Sequence, residues 1–228
     1  MNHCPVVVLD MDGTLLDLAF DDRVWNQVLP VRVAAQRGCP VEVVRAEVAA
    51  TLGSVRGTLP WYCLDHWEAQ FGVSLHALEE ELAVHIALRP GTLDFLGFLR
   101  AHGVRTLIAT NAHPASLARK MDRTGIGEFF EARVSAHSLG VAKEDPAFWP
   151  ALCAVAGMTP ADCAFVDDNA AVLDAARLAG VRHLFGIRTP SSTGPVRSFS
   201  SYASVDRLSE LIPWLSGRLG LQRAAVGR

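Results

Sequence analysis

Residues 6–14 read V-V-V-L-D-M-D-G-T, an apolar, β-branched run that stops at two carboxylates, a glycine and a threonine. Four apolar residues in succession, Val6 to Leu9, suit a strand buried on both faces, as in the middle of a parallel sheet. Similar runs recur at residues 105–110 (RTLIAT), 133–135, 164–166 and 182–185. Helical patterns fill the gaps at 92–101, 115–124, 146–156 and 170–179. Gly103, Gly125, Gly157 and Gly180 close them, as glycine often closes a helix. Strands alternating with helices predict right-handed βαβ units, and so an α/β protein built on a Rossmann-like parallel sheet.

One stretch departs from the alternation. From residue 18 to 88 the pattern is helical, with no convincing buried strand, and it carries Trp25, Trp61, Tyr62 and Trp67. It begins just after the first strand and returns at Arg89-Pro90-Gly91, a turn signal. The expected organisation is a sheet domain made of residues 1–17 and 89–228, with an inserted helical domain at 18–88. Residues 189–201 are rich in Ser, Pro and Gly and predict a loop, 205–219 a closing amphipathic helix, and 222–228 a frayed end.

The chain of 228 residues is half hydrophobic and one-fifth charged, with a net charge of −3, and its lysines and arginines are scattered singly. A folded globular protein is expected, and a nucleic-acid or membrane-surface binder is not. Five cysteines, Cys4, Cys39, Cys63, Cys153 and Cys163, form no C-x-x-C pair and predict reduced thiols in a cytoplasmic protein, not a disulfide framework or zinc site. No apolar run is long enough for a membrane span, and the apolar run after MNHCP is too short for a signal sequence. Nothing in the sequence locates a dimer surface.

In an open parallel sheet, ligands bind beyond the carboxyl ends of the strands. Three predicted strand ends carry reactive groups: Asp10-Met11-Asp12-Gly13-Thr14, Thr110-Asn111 and Asp167-Asp168-Asn169, with Lys143 in a loop before the fourth strand. Each has an ordinary reading by itself. An Asp or Asn after a strand commonly caps the next helix, and a lone lysine is commonly solvated. Together they place several carboxylates at one sheet edge, where they repel one another and lose hydration. A hard, oxygen-ligated cation such as Mg²⁺ relieves that conflict.

The constellation resembles the haloacid dehalogenase (HAD) superfamily, with DMDGT, ATN, AKEDPAFW and FVDDN as its four motifs in order. The helical insert looks like that superfamily's type 1 cap. The stretches DMDGTLLDLAFD, LPWYCLDHWEAQFG, TNAHP and KEDPAFW look similar to its bacterial GMP/IMP nucleotidase branch. The resemblance implies a metal-dependent phosphomonoester hydrolase acting through an aspartyl-phosphate. Asp10 would attack phosphorus, and Asp12 would protonate the leaving oxygen and later deprotonate water. A crowded carboxylate site favours the protonated Asp12 that the first step requires. Thr110, Asn111 and Lys143 would hold the phosphoryl oxygens. Mg²⁺, or Mn²⁺ or Co²⁺ in its place, would sit on Asp10, the Asp12 carbonyl and a carboxylate of the Asp167-Asp168 pair. Gly13 would permit a tight turn, and Thr14 would fix it through its hydroxyl.

Two departures from the family pattern stand out. Glu144 replaces the proline common after the lysine, which predicts a less rigid loop. Val172 stands where an acidic residue or Asn is common. Counting back from Ala175-Ala176 favours Asp168 as the direct metal ligand, with Asp167 behind it or reaching through water. Specificity is expected in the insert. Trp25, Trp61, Tyr62 and Trp67, with Asn26, Asp65 and His66, offer a flat apolar surface and polar edges for a purine, although aromatics in a small helical domain usually form its core. Arg23, Arg56 and His113 are further candidates. Other capped HAD enzymes, namely sugar-phosphate phosphatases and phosphoglucomutases, and a non-catalytic nucleotide-binding protein are the alternatives. The intact acid pair argues against the last.

Overall fold

The computed structural model describes residues 5–221, so Cys4 and segment 222–228 lie outside the described residues. Six strands, β1 (Val6–Leu9), β2 (Thr106–Thr110), β3 (Ala132–Ser135), β4 (Cys163–Asp167), β5 (His183–Ile187) and β6 (Ala203–Val205), form one sheet. Every pairing is parallel and the order is β3-β2-β1-β4-β5-β6. The three central strands are buried at every position, as their unbroken apolar runs require, whereas β3 and β6 at the edges are partly exposed.

After β1 the chain is helical. α1 (Ala19–Asp22) continues through a π-helical turn, Arg23–Val28, into α2 (Leu29–Arg37), and α3 (Val41–Ser54), α4 (Leu64–Phe71) and α5 (Leu75–Glu81) follow. α6 (Thr92–Ala101) then leads to β2, and α7 (Pro114–Thr124) to β3. α8 (Ala136–Leu139) and α9 (Phe148–Ala156) precede β4, α10 (Ala170–Leu178) precedes β5, and α11 (Ile212–Arg218) closes the described chain.

Side chains alternate across the sheet and feed two apolar layers. Val6, Val8, Leu107, Ala109 and Phe165 pack with α9 and α10 through Phe148, Trp149, Val172 and Leu173. Val7, Leu9, Ile108, Val166 and Ile187 face the other way, toward Phe95, Leu96, Leu117, Met121 and Leu215. That second layer runs without a break through Met11, Leu15, Leu16 and Phe20 into Val24, Leu29, Val44, Leu64 and Trp67 of the inserted helices.

The expected closing helix at 205–219 divides into three elements: the short strand β6, a 3-10 turn at Leu208–Leu211, and α11. Ala203 to Val205 is too short and too embedded in serines to show strand periodicity, and Pro213 belongs in the first turn of a helix that starts at Ile212.

Candidate active site

The chain winds outward from β1 to β2 and β3 on one side, then crosses to β4 on the other. The carboxyl ends of β1 and β4 therefore flank the point where the winding reverses, the crevice such sheets leave open for ligands. The Asp10 amide donates to the Val166 carbonyl at 3.0 Å, which fixes the two strand ends side by side. The Asp10, Asp167 and Asp168 carboxylates follow, all buried, with one oxygen of each within 4.8 Å of the others.

Lys143, also buried, donates to Asp10 Oδ1 and, at 2.8 Å, to Asp167 Oδ2. Asp167 Oδ1 accepts the Asn169 amide at 2.7 Å, so both of its oxygens are engaged. The Asp168 carbonyl accepts from Arg197 Nη1 at 2.6 Å, and the same Nη1 forms an ion pair with Asp168 Oδ2 at 2.6 Å. Asp10 Oδ2 is different: it is buried and has no partner among the described residues. Burial raises the Asp10 carboxyl well above the ordinary range and the Asp167 carboxyl above it, against the pull of Lys143. Burial, with Asp167 alongside, pushes Asp168 up to about 7. Burial alone would lower Lys143, but Asp10 and Asp167 outweigh it and hold the ammonium above its usual range. Lys143 and Arg197 thus meet three crowded carboxyls, with the Arg89 guanidinium a further charge near Asp168.

The surrounding loops are held by more than their sequence suggests. Gly13 adopts φ +88°, and a Cβ there would lie 2.5 Å from Asp168 Oδ2. Thr14 does not play its expected part, because its buried hydroxyl has no partner among the described residues. Arg89 holds this loop instead, donating from Nη1 to the Thr14 carbonyl at 3.0 Å and from Nη2 to the Thr189 and Asp206 carbonyls at 2.7 Å. The Thr110 hydroxyl accepts the Ala112 amide at 3.0 Å, and Asn111 Oδ1 accepts the Lys143 amide at 2.8 Å. Glu144 also corrects the expectation of a less rigid loop: Oε2 accepts from Asn111 Nδ2 at 2.9 Å, and Oε1 from the Tyr62 hydroxyl at 2.6 Å and Asn169 Nδ2 at 3.4 Å. Its carboxylate thereby joins three loops in place of the missing ring.

Asp12 shares a buried ammonium with a second carboxylate, Asp21, and stands near Glu79 and Asp168. Lys120 Nζ on α7 donates to Asp12 Oδ1 at 2.7 Å and to Asp21 Oδ1 at 2.8 Å. Burial, with Asp12 close by, raises the Asp21 carboxyl to about 7. Lys120 is absent from the sequence reading, yet a signal was there. It shares the buried face of α7 with Ser116, Leu117 and Met121, and a lysine on such a face needs an acidic partner.

Among the insert residues, Tyr62 reaches the sheet side through Glu144. Trp61 is half-buried beside Tyr62, with the Arg56 guanidinium 5.4 Å from the Trp61 ring centre. Asp65 is exposed and pairs with His76 at 2.7 Å. Trp67 is core: it is 1% exposed, stacks on Phe71, and donates its ring N–H to the Trp61 carbonyl, so it offers no face to a ligand. Trp25 packs against the apolar layer, and Asn26 turns outward and donates to Asp22 one turn back at 2.9 Å.

The haloacid dehalogenase-like hydrolase model matches residues 4–180. The GMP/IMP nucleotidase YrfG of Escherichia coli (strain K12) is 36% identical over 92% of this chain and 94% of its own length. A phosphoglycolate phosphatase of Pseudomonas putida (strain KT2440) is 29% identical over 91% of this chain and 78% of its own. Among solved structures, a HAD phosphatase from Thermococcus onnurineus superposes with a TM-score of 0.81 at 19% identity, covering 93% of this chain and 98% of that one. A β-phosphoglucomutase described from Thermotoga maritima reaches 0.66 at 16% identity, covering 93% and 99%. With its aspartates gathered at the reversal point of a parallel sheet, the chain belongs to the haloacid dehalogenase-like hydrolases.

Proposed function

We propose that this hydrolase cleaves phosphomonoesters through an aspartyl-phosphate on Asp10 and that its substrates are purine 5′-nucleotides, GMP, IMP and their deoxy forms. The observation that carries the chemistry is the asymmetry of Asp10: one oxygen is fixed by Lys143 and the other is buried and unpartnered. An Asp10 oxygen attacks phosphorus in line, and the ester oxygen leaves with a proton from Asp12. Asp12 then takes a proton from water, which attacks the same phosphorus, releases phosphate and restores Asp10. Lys120 orients Asp12, while Lys143 balances charge on Asp10 and the phosphoryl group. The Thr110 hydroxyl accepts from Ala112, which leaves its own proton free to bind a phosphoryl oxygen beside the Asn111 amide.

The Asp10 oxygen without a partner among the described residues and the converging, all-oxygen donors of Asp10, Asp167 and Asp168 fit a hard divalent ion. Asp10, Asp168 and the Asp12 carbonyl would hold Mg²⁺, with Mn²⁺ or Co²⁺ able to replace it, and Asp167 would stay engaged with Lys143 and Asn169. When bound, the ion neutralises charge on the phosphoryl oxygens.

The similarity to a GMP/IMP nucleotidase over nearly the whole of both chains supports the nucleotide reading. Residues 18–88 would act as the cap over the leaving group, with Tyr62, Trp61 and Asp65 as candidates for the base. Free thiols at Cys39, Cys63, Cys153 and Cys163 and the absence, among the described residues, of a helix able to cross a membrane fit a cytoplasmic location. The test is phosphate release across GMP, IMP, AMP, phosphoglycolate and hexose phosphates, with and without EDTA. GMP and IMP should turn over fastest, EDTA should stop turnover, and D10N should abolish it. D12N should lower it by about 10²–10⁴-fold. Faster turnover of phosphoglycolate or hexose phosphates would replace the substrate reading and leave the chemistry standing, whereas unimpaired D10N would overturn the chemistry.

A further inference from the structure

Apart from the aspartate cluster, Cys63, Asp65 and His113 bring a sulfur, an oxygen and a nitrogen within 4.8 Å of one another. Cys63 follows the 3-10 turn Leu59–Tyr62 and Asp65 lies in the first turn of α4, whereas His113 caps α7 at the sheet edge. Asp65 Oδ1 lies 2.7 Å from His76 Nε2, and Oδ2 lies 3.6 Å from His113 Nε2. The His113 ring meets His76 edge-on at 5.3 Å and His137 at 5.2 Å, and His137 Nε2 is buried with no partner among the described residues. Cys63 is a free thiol. No step of phosphoryl transfer at Asp10 uses these groups, and an Asp65 that holds an ion here leaves the base to Tyr62 and Trp61.

We propose a second metal site here, for a borderline transition ion of the zinc class held by Cys63 Sγ, an Asp65 oxygen and His113 Nε2. His76 orients Asp65. A mixed sulfur, nitrogen and oxygen set selects zinc-like ions, whereas the all-oxygen set around Asp10 suits Mg²⁺. On binding, the Cys63 proton leaves to solvent. The Nε2 proton of His113 moves to Nδ1, which gives up its 3.3 Å contact with the Ala115 amide. The bound ion ties α4 to the start of α7, and so the inserted helices to the sheet edge two residues beyond Asn111.

Co²⁺ titrated into metal-free protein is the probe, because a cobalt–thiolate bond absorbs in the near ultraviolet and an all-oxygen site does not. The expected result is a band that saturates, disappears when Zn²⁺ is added, is absent from C63S, and remains in D10N and D168N, where it saturates at one equivalent. H76N should weaken the Co²⁺ affinity reported by that band about 10- to 100-fold. D65N, at a side chain 69% exposed and so tolerant of replacement, should weaken it as well and covers the case of a C63S that does not fold. No band in the wild-type protein, a band surviving in folded C63S, a band lost in D10N, or unchanged affinity in D65N would each overturn the site. The readout is absorbance and not turnover, so its outcome is independent of the reading of Asp10.

Discussion

Gly13 shows how tightly the turn after β1 is determined. Its φ of +88° is one that L side chains rarely adopt, and the space for a Cβ is filled by Asp168 Oδ2 at 2.5 Å and Pro190 Cβ at 3.1 Å. Replacing Gly13 by Ala should cost about 1–2 kcal/mol for the backbone alone. It should also push Asp168 from its place, so that G13A protein that still folds releases little phosphate. Urea unfolding and a phosphate assay on one preparation check both effects, and a stable, fully active G13A would show that the turn has slack the geometry denies it. At this scale the sequence discloses groups whose chemistry is unusual where they stand: Asp10, Asp12, Asp167 and Asp168 beyond buried strands, and Lys143 between them. It conceals groups that matter through distant partners. Lys120 meets Asp12 across 108 positions, Arg89 meets Asp206 across 117, and Arg197 lies in a loop that reads as filler.

The elements were legible in proportion to their burial. Strands buried on both faces announce themselves as unbroken apolar runs, and helices between them by period and a closing glycine. β6 did not, because three residues at an edge carry no period, and neither did the π-helical turn at Arg23–Val28. α7 has a role no periodicity shows: through Lys120 it joins the loop after β1 to α1. Asp21 on α1 is the half of that bridge open to titration. Burial, with Asp12 close by, lifts its carboxyl from an ordinary 3.8 to about 7, so the folded state holds this proton more tightly than the unfolded state does. Between those values the native protein binds more protons than the unfolded chain, and the contribution of Asp21 to stability falls as pH rises. Asn in its place does not titrate. The urea midpoint of D21N, compared with that of the wild type, should therefore gain between about pH 4 and about pH 8. An offset that stays constant over that range would mean Lys120 keeps Asp21 ionised throughout.

At the scale of the molecule, the sequence suggests two units, yet the apolar layer on one face of the sheet does not stop where the helices begin. Leu9 and Ile108 of the sheet share a buried cluster with Leu15, Leu16, Phe20, Leu29, Leu64 and Trp67. Polar ties reinforce it: Glu79 of α5 accepts from Arg119 of α7 at 2.6 Å and from Ser116 at 3.1 Å, all three largely shielded from solvent. Exposing either half means opening a face of the other, at about 25 cal/mol for each Å² of apolar surface. The helices and the sheet should accordingly unfold together. Trp25, Trp61 and Trp67 sit in the inserted helices, and Trp149 and Trp214 in the sheet-bearing part, so tryptophan fluorescence weights the insert while far-ultraviolet circular dichroism sums the whole. In urea the two signals should trace one transition with a common midpoint, and W67A, which hollows the shared layer on the helical side, should move both midpoints equally. Fluorescence that changes well before the dichroism would mean the helices melt on an intact sheet. The shared layer would then be contact without cooperativity, and a cap moving as a separate body over Asp10 would become the better description of the enzyme.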